Sequence, residues 1–284
     1  MSVSSPGRST SWTAGFDPWR CVACGGGLGD GGDALVCGSC GHVYPIRDGV
    51  LVVRDEVADN NRIAQDFYNS PLWPKFRVWE HVFWFFNGGE RRARDKVLRH
   101  LPTGPGLRLL DVAIGDGVYL DWLPGDWQIT GVDISTAQLA ACRRRAEGRD
   151  VRLTLAEAED LPFHNGQFDA VLSIGGLNHF NDPGRALAEM ARVARAGAPV
   201  VVSDEAPDLT GRMLGHLTGI PALIRLDNWF VAHVMHLGRD FTDLVERNRH
   251  LDVAKLGRAA LRDSTFEWIW RKGGYVLVGE APAK

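Results

Sequence analysis

Carboxylates and glycines collect in this chain at points where apolar strand patterns stop. Residues 108–119 (RLLDVAIGDGVY) run as an apolar strand into a turn that carries Asp111, Ala113, Gly115 and Gly117 at alternate positions. A second such unit, residues 129–135 (ITGVDIS), ends its strand on Asp133. In a doubly wound sheet, ligands bind outside the carboxyl ends of the strands, and glycines there let backbone approach a nucleoside closely. Asp133 stands where a carboxylate accepts both ribose hydroxyls. A dinucleotide site needs G-x-G-x-x-G with a helix N-terminus aimed at pyrophosphate. Here the third glycine is missing, and Asp111 would oppose a pyrophosphate. An acid at that place suits a ligand with positive charge, such as the sulfonium and ammonium of S-adenosylmethionine.

A second chemistry sits near the start of the chain. Cys21-Val-Ala-Cys24 and Cys37-Gly-Ser-Cys40 form two knuckles whose thiolates converge on the tetrahedral four-sulfur arrangement preferred by structural zinc. Gly25, Gly26, Gly27, Gly38 and Gly41 supply the tight turns. Cysteines bunched this way in a cytoplasmic chain do not read as disulfides. His42 is a further candidate ligand whose separation from Cys40 suits a turn better. Cys142 reads as buried packing in the helix after Asp133.

The elements that must position these groups follow from pattern and length. With 284 residues the chain can bury a substantial core, and it reads as one main domain with a small one. The expected boundaries are a disordered tail over 1–18, a zinc ribbon over 19–55, an aromatic helical linker or lid over 56–101, and a core over 102–284 with a lid insertion at 207–255. The tail is rich in Ser, Thr and Gly, so Trp12 carries no reading. The linker crowds Phe67, Tyr68, Trp73, Phe76, Trp79, Phe83, Trp84, Phe85 and Phe86, several at helical spacing. Either these rings pack the ribbon on the core, or they wall a substrate pocket. Residues 203–205 (Ser-Asp-Glu) end a strand pattern, 207–253 read as amphipathic helix, and 266–270 with 275–279 read as a closing antiparallel hairpin. A net charge of −3 offers no general attraction to nucleic acid. No run reaches membrane-span length and the N-terminus lacks a signal-peptide core, so a cytoplasmic protein is expected.

The glycine loop resembles motif I of class I S-adenosylmethionine-dependent methyltransferases, D/E-x-G-x-G-x-G, with Ala113 in place of the first glycine. Residues 154–163 (TLAEAEDLPF) and 167–173 (QFDAVLS) are similar to the G-D-A-E-x-L-P-F…F-D-x-V segment of the ubiquinone/menaquinone C-methyltransferase-like branch. Residues 185–202 (RALAEMARVARAGAPVVV) resemble the next helix and strand, with Ala196-Gly197-Ala198 where Pro-Gly-Gly is usual. The resemblance spans about Leu107 to Val202 in family order. It implies a doubly wound, mostly parallel seven-stranded α/β sheet of the Rossmann-like kind, with a small N-terminal zinc ribbon. The cofactor residues it implies are Asp111, Ala113, Gly115, Gly117, Asp133, Ile134, Glu157, Ala158 and Ser173. Glu157 would replace the usual Asp that contacts the adenine amino group, and Ala158 would offer its N–H to the ring.

Residues 37–53 (CGSCGHVYPIRDGVLVV) resemble the end of the zinc-ribbon family of tRNA-methyltransferase activators, with Val53 at the signature's final Leu. In that family the domain scaffolds and activates methyltransferases, so the ribbon here is expected to be fused to its enzyme. A four-sulfur site leaves no open position for catalysis, and the plainer reading is a stability staple.

Methyl transfer asks mainly for alignment of the acceptor and removal of its proton. The fourth core strand runs into Ser173-Ile-Gly-Gly-Leu-Asn178-His179, so His179 is the candidate base; a wall residue is the alternative. His233 and His236, one helical turn apart, read as partly exposed lid residues. The expected activity is methyl transfer from S-adenosylmethionine to carbon or oxygen of a small hydrophobic acceptor, in a chain that can form a homo-oligomer. Two alternatives remain: an RNA methyltransferase, and a non-catalytic regulator that binds the cofactor. The ribbon's Cys-x-x-Cys second half and the acidic balance speak against the first.

Overall fold

The computed structural model describes residues 17–86, 89–208, 210, 213 and 217–283, with side chains at 82 and 83 left out. Most of the expected tail, including Trp12, and the Phe83 side chain lie outside these described residues. Four short strands come first: β1 (Leu28–Asp30), β2 (Ala34–Cys37), β3 (Val43–Arg47) and β4 (Val50–Val52). Helices α1 (Asp59–Asn69), α2 (Leu72–Phe86) and α3 (Glu90–Leu98) then lead to β5 (Arg108–Val112). The core continues through β6 (Gln128–Asp133), α4 (Thr136–Arg145), β7 (Val151–Leu155), β8 (Ala170–Ile174), α5 (Pro183–Val193) and β9 (Pro199–Glu205). After it come α6 (Pro221–Trp229), α7 (Arg239–Asn248), α8 (Val253–Ala260) and the hairpin β10 (Arg262–Ile269) and β11 (Gly274–Glu280).

The expected seven strands are present but do not stand alone. The sheet has eleven strands in the order β1-β2-β3-β4-β7-β6-β5-β8-β9-β11-β10, because the ribbon strands extend the core sheet. The junction is the parallel pairing of β4 with β7, in which Val50, Leu51 and Val52 meet Leu153, Thr154 and Leu155. Pairing there covers an edge that would otherwise expose unpaired backbone groups. A second anchor lies at Trp19, fully buried, which bridges to Phe163 with ring centroids 5.2 Å apart.

The core strands are buried on both faces, as parallel strands between helices must be. Helix starts are fixed by side-chain caps: Ser135 for α4, Asp182 with Pro183 for α5, and Asp252 for α8. α5 buries Ala186, Leu187, Met190 and Val193, the apolar stripe its sequence encodes. Cys142 is buried in α4, as its position implied. No helix among the described residues is long and apolar enough to cross a membrane.

Candidate active site

β5, β6, β8 and β9 end side by side, and their carboxyl ends open on a cavity of about 570 Å³. At the β5 end, Asp111 is buried, and burial together with the charge of Asp133 pushes its carboxyl up to about 8. At the β6 end, Asp133 is likewise buried and pushed up to about 6, although backbone N–H donors oppose the shift. Those donors are Gly115 N–H to Oδ2 and Ser135 N–H to Oδ1, each at 2.8 Å. They orient the carboxylate, and each oxygen keeps a lone pair for a hydroxyl donor.

The turn between these acids is tight. Gly115 and Gly117 have φ of +57° and +72°, and a Cβ at Gly117 would meet Cys142 Sγ at 2.6 Å. Ala113, at the first glycine position of the pattern, also adopts a positive φ of +62°. For an alanine this left-handed conformation costs about 1–2 kcal/mol.

Most of the expected cofactor residues converge. Asp111, Ala113, Gly115, Asp133, Ile134 and Ala158 line the cavity. Gly117, Glu157 and Ser173 do not. Gly117 supports the turn from behind, and Ser173 is fully buried within β8. Glu157 is turned away from the cavity by two partners: Arg54 Nη1 lies 2.8 Å from Oε2 and Asn61 Nδ2 lies 2.9 Å from Oε1. Asn61 itself lines the cavity.

The other half of the cavity is apolar and aromatic. Phe67, Tyr68, Trp73, Phe76 and Trp79 line it from α1 and α2. From the insertion come Val231, Met235, Leu237, Phe241 and Val245. Phe67 stacks on Phe241 with centroids 4.1 Å apart. The aromatic segment therefore forms a hydrophobic cluster with the insertion, separate from the cluster that holds the ribbon's Trp19 and Tyr44. Packing between ribbon and core, the plainer expectation for these rings, falls instead to Trp19, Tyr44 and Leu51. Phe85 and Phe86 point outward.

His179 stands at the floor of this apolar half, 5% exposed, with its ring 4.8 Å from Phe241. Its Nε2 lies 3.2 Å from Glu205 Oε1. Glu205 and its neighbour Asp204 end β9 and were recognisable in sequence only as the end of a strand. Burial pushes Asp204 well above the ordinary carboxylate range, and the charge of Glu205 reinforces this. Burial opposes ionisation of Glu205 too, but a hydrogen bond from Asp204 and the neighbouring His179 hold it down at about 2. The pair thus shares one proton, kept on Asp204. Asn178 locks the arrangement by donating its backbone N–H to Asp204 Oδ2 at 3.0 Å and its side chain to the Glu205 carbonyl at 2.8 Å. His233 and His236 do not line the cavity; His233 is exposed, as expected, and stacks on Trp229.

At the other end of the sheet, Cys21, Cys24, Cys37 and Cys40 place their sulfurs within 4.8 Å of one another. The Cys21–Cys40 and Cys24–Cys37 sulfurs are 3.8 and 3.4 Å apart. Four thiolates on a tetrahedral zinc at about 2.3 Å lie at about this spacing. His42 is outside that group and packs at a tilt against Tyr44, with ring centroids 4.6 Å apart.

Comparison with known proteins agrees with this geometry. Residues 110–202 match the methyltransferase domain family, and residues 20–49 match the Trm112p-like protein family. The two matches fall on the cysteine-bearing ribbon and on the stretch from β5 to β9. The domain is 35% identical over 132 residues to demethylmenaquinone methyltransferase of Renibacterium salmoninarum, covering 46% of this chain and 54% of that protein. It is 38% identical over 127 residues to the enzyme of the same name from Thermus thermophilus, covering 43% and 56%. O-methyltransferase cnsE of Penicillium expansum is 36% identical over 126 residues, covering 42% and 45%. The chain thus spans about half the length of the curated relatives it matches. The complex of the Haloferax volcanii Trm112 methyltransferase activator with a methyltransferase shares the fold, with a TM-score of 0.52 at 16% identity, over 74% of this chain and 97% of that one.

Proposed function

We propose that this protein transfers a methyl group from S-adenosylmethionine to carbon or oxygen of a small, uncharged, hydrophobic acceptor. The observation that carries the reading is one cavity uniting two halves: strand-end acids suited to a cationic nucleoside, and an aromatic chamber with His179 and Glu205 at its floor. Asp133 would hold the ribose and Asp111 the amino group, and the turn at Gly115 admits the backbone close to both. When bound, the cofactor supplies an electrophilic methyl on a good leaving group. The relatives named as demethylmenaquinone methyltransferases and O-methyltransferases support acceptors of this kind.

His179 takes the acceptor's proton in this reading. Glu205 Oε1 beside Nε2 balances the imidazolium that forms, and Asp204, holding its own proton, keeps Glu205 ionised. The aromatic walls exclude water and align the acceptor, a contribution that needs no reacting group. Acids also line the cavity at Glu80, Asp116, Asp133 and Glu205, which disfavours carboxylate or phosphate acceptors and an RNA backbone. The ribbon is a zinc-bound scaffold, and its four cysteines are the metal ligands.

The test is transfer of an isotope-labelled methyl from S-adenosylmethionine to a panel of phenols, enols and hydroquinones, with RNA as a control. Glu205→Gln is expected to lower turnover about 10²-fold with cofactor affinity kept within a few-fold. Cofactor binding without transfer to any of these acceptors would favour the regulator reading, and labelling of RNA alone would favour the RNA methyltransferase.

A further inference from the structure

Large apolar side chains left exposed are concentrated on one part of this molecule. Nine stand exposed among the described residues, and seven of them fall on two adjoining segments. Val78, Phe85 and Phe86 lie on α2; Leu217 and Ile220 precede α6, and Leu226 and Trp229 lie on it. Single exposed apolar residues need no explanation, whereas a cluster on adjoining elements marks a contact surface. The segments adjoin at Trp79, whose ring lies 6.2 Å from that of Phe230, the residue after α6, and whose Nε1 donates to the Val234 carbonyl at 3.3 Å. α6 buries none of its residues, although Ala222, Leu226 and Trp229 form an apolar stripe at helical spacing. On α2 the exposed stripe is Pro74, Val78, His81 and Phe85, while Trp73, Phe76 and Trp79 turn to the cavity.

The charge on this face has one sign. Among the described residues of 72–86 and 217–234, the exposed lysines, arginines and acids are Lys75 and Arg225 alone. The two acids there, Glu80 and Asp227, are half-buried, and Glu80 is paired with Arg77 at 3.3 Å. In a chain of net charge −3 this is a local reversal. An apolar face that bears cations and no exposed acid complements anionic lipid: its apolar side chains enter the boundary between headgroups and acyl chains, and Lys and Arg stems reach the headgroup phosphates. A second copy of the chain is a poorer occupant, because a two-fold contact through this face would set cation against cation. No helix among the described residues is long and apolar enough to cross a membrane, and a face of this kind lies in the plane of the surface.

We propose that the outer face of α2, together with α6 and the residues leading into it, docks on an anionic lipid surface. The opposite side of α2 and the residues that follow α6 wall the aromatic chamber. Docking therefore sets the chamber against the phase into which a hydrophobic acceptor partitions. The contact itself needs neither cofactor nor acceptor, so it stands independently of the methyltransferase reading.

The test is co-sedimentation of the full chain, without cofactor, with vesicles of mixed phosphatidylglycerol and phosphatidylcholine. The protein is expected to bind, with a blue shift of tryptophan emission, and to bind less as salt is added. Leu226→Ser combined with Trp229→Ser, both at exposed positions, should weaken binding about tenfold or more while the protein melts like the parent. Lys75→Glu combined with Arg225→Glu should weaken it as well, through charge alone. Val43→Ser, which removes an exposed apolar side chain from the ribbon, should leave binding unchanged. A parent protein that stays in solution, equal binding to vesicles of phosphatidylcholine alone, or the same loss through Val43→Ser would overturn the proposal. So would a dimer in sedimentation velocity without lipid that the Leu226 and Trp229 substitutions dissociate, since the face would then belong to a second copy.

Discussion

Arg54 and Glu157 form an ion pair, Nη1 to Oε2 at 2.8 Å, that fastens the segment leaving the ribbon to the acid following β7. Arg54 is positioned by the β4–β7 pairing itself, since its backbone N–H and that of Val53 both donate to the Leu155 carbonyl, at 3.1 and 3.0 Å. Asn61 of α1 holds the other Glu157 oxygen. The acid expected to meet adenine is therefore part of the joint between ribbon, linker and core.

This separates two acids that sequence treats alike. Asp133→Ala should abolish measurable cofactor binding, because two charge-assisted hydrogen bonds at about 1.5–3 kcal/mol each are lost. Glu157→Ala should weaken binding less than tenfold and instead lower Tm by a few degrees, since it removes the shorter contact of Arg54 and of Asn61 and leaves them only Asp160 and Glu159, at 3.6 and 3.2 Å. Calorimetry and thermal melts on the two variants check the contrast. Equal loss of affinity in both would return Glu157 to the adenine site.

Metal removal should act at a distance from the cysteines. β4 covers the β7 edge, and the Trp19–Phe163 contact seals the neighbouring loop, so a collapsed ribbon uncovers the core sheet. We expect elemental analysis to find one zinc per chain. Chelation, or Cys24→Ser, should lower Tm by about 5–10 °C, the loss of a few kcal/mol in a chain of this size. A metal-free protein melting like the parent would contradict a structural zinc.

Ala113 supplies an internal check on the turn. Its φ of +62° is a glycine conformation adopted by a residue with a Cβ. Ala113→Gly relieves that strain but gains freedom in the unfolded chain, which offsets part of the benefit. A net stabilisation of up to about 1 kcal/mol is expected, with cofactor affinity retained. Clear destabilisation in a denaturant melt would mean that the Ala113 methyl is needed for packing; that methyl already lies where a Cβ on Gly176 would come within 2.7 Å.

The parts legible in sequence are those whose physics is local. That Asp111, Asp133 and His179 meet at one cavity was legible because each ends or follows an apolar strand pattern, and the clustering of the four cysteines because knuckle spacing is short-range. Glu205 carried the same signal as Asp111, an acid at a strand's end, but nothing in the sequence brings β9 beside the loop bearing His179. Arg54 was invisible for a related reason, since its place at the joint depends on a partner 103 residues away. The eleven-stranded sheet was missed because strand pairing between separate units leaves no trace in either unit's pattern.

The buried acid at the end of β5 makes cofactor binding depend on pH. With its carboxyl pushed to about 8 by burial and by Asp133, Asp111 is protonated in the free protein at pH 7. The ordinary value is 3.8, so the folded state holds a proton that the unfolded chain has released. This group's contribution to stability is thus complete below about pH 4 and is lost as pH rises through about 8. A cationic ligand reverses the preference, because it binds the carboxylate form. Affinity for S-adenosylhomocysteine should then rise about tenfold per pH unit between pH 6.2 and 7.4, below the titration of the ligand's own amino group at about 8. Calorimetry in buffers of different ionisation enthalpy should register close to one proton released per ligand at pH 7. Asp111→Asn should remove both the slope and the proton. A flat profile in the unmodified protein would mean that Asp111 is already ionised or does not meet the ammonium.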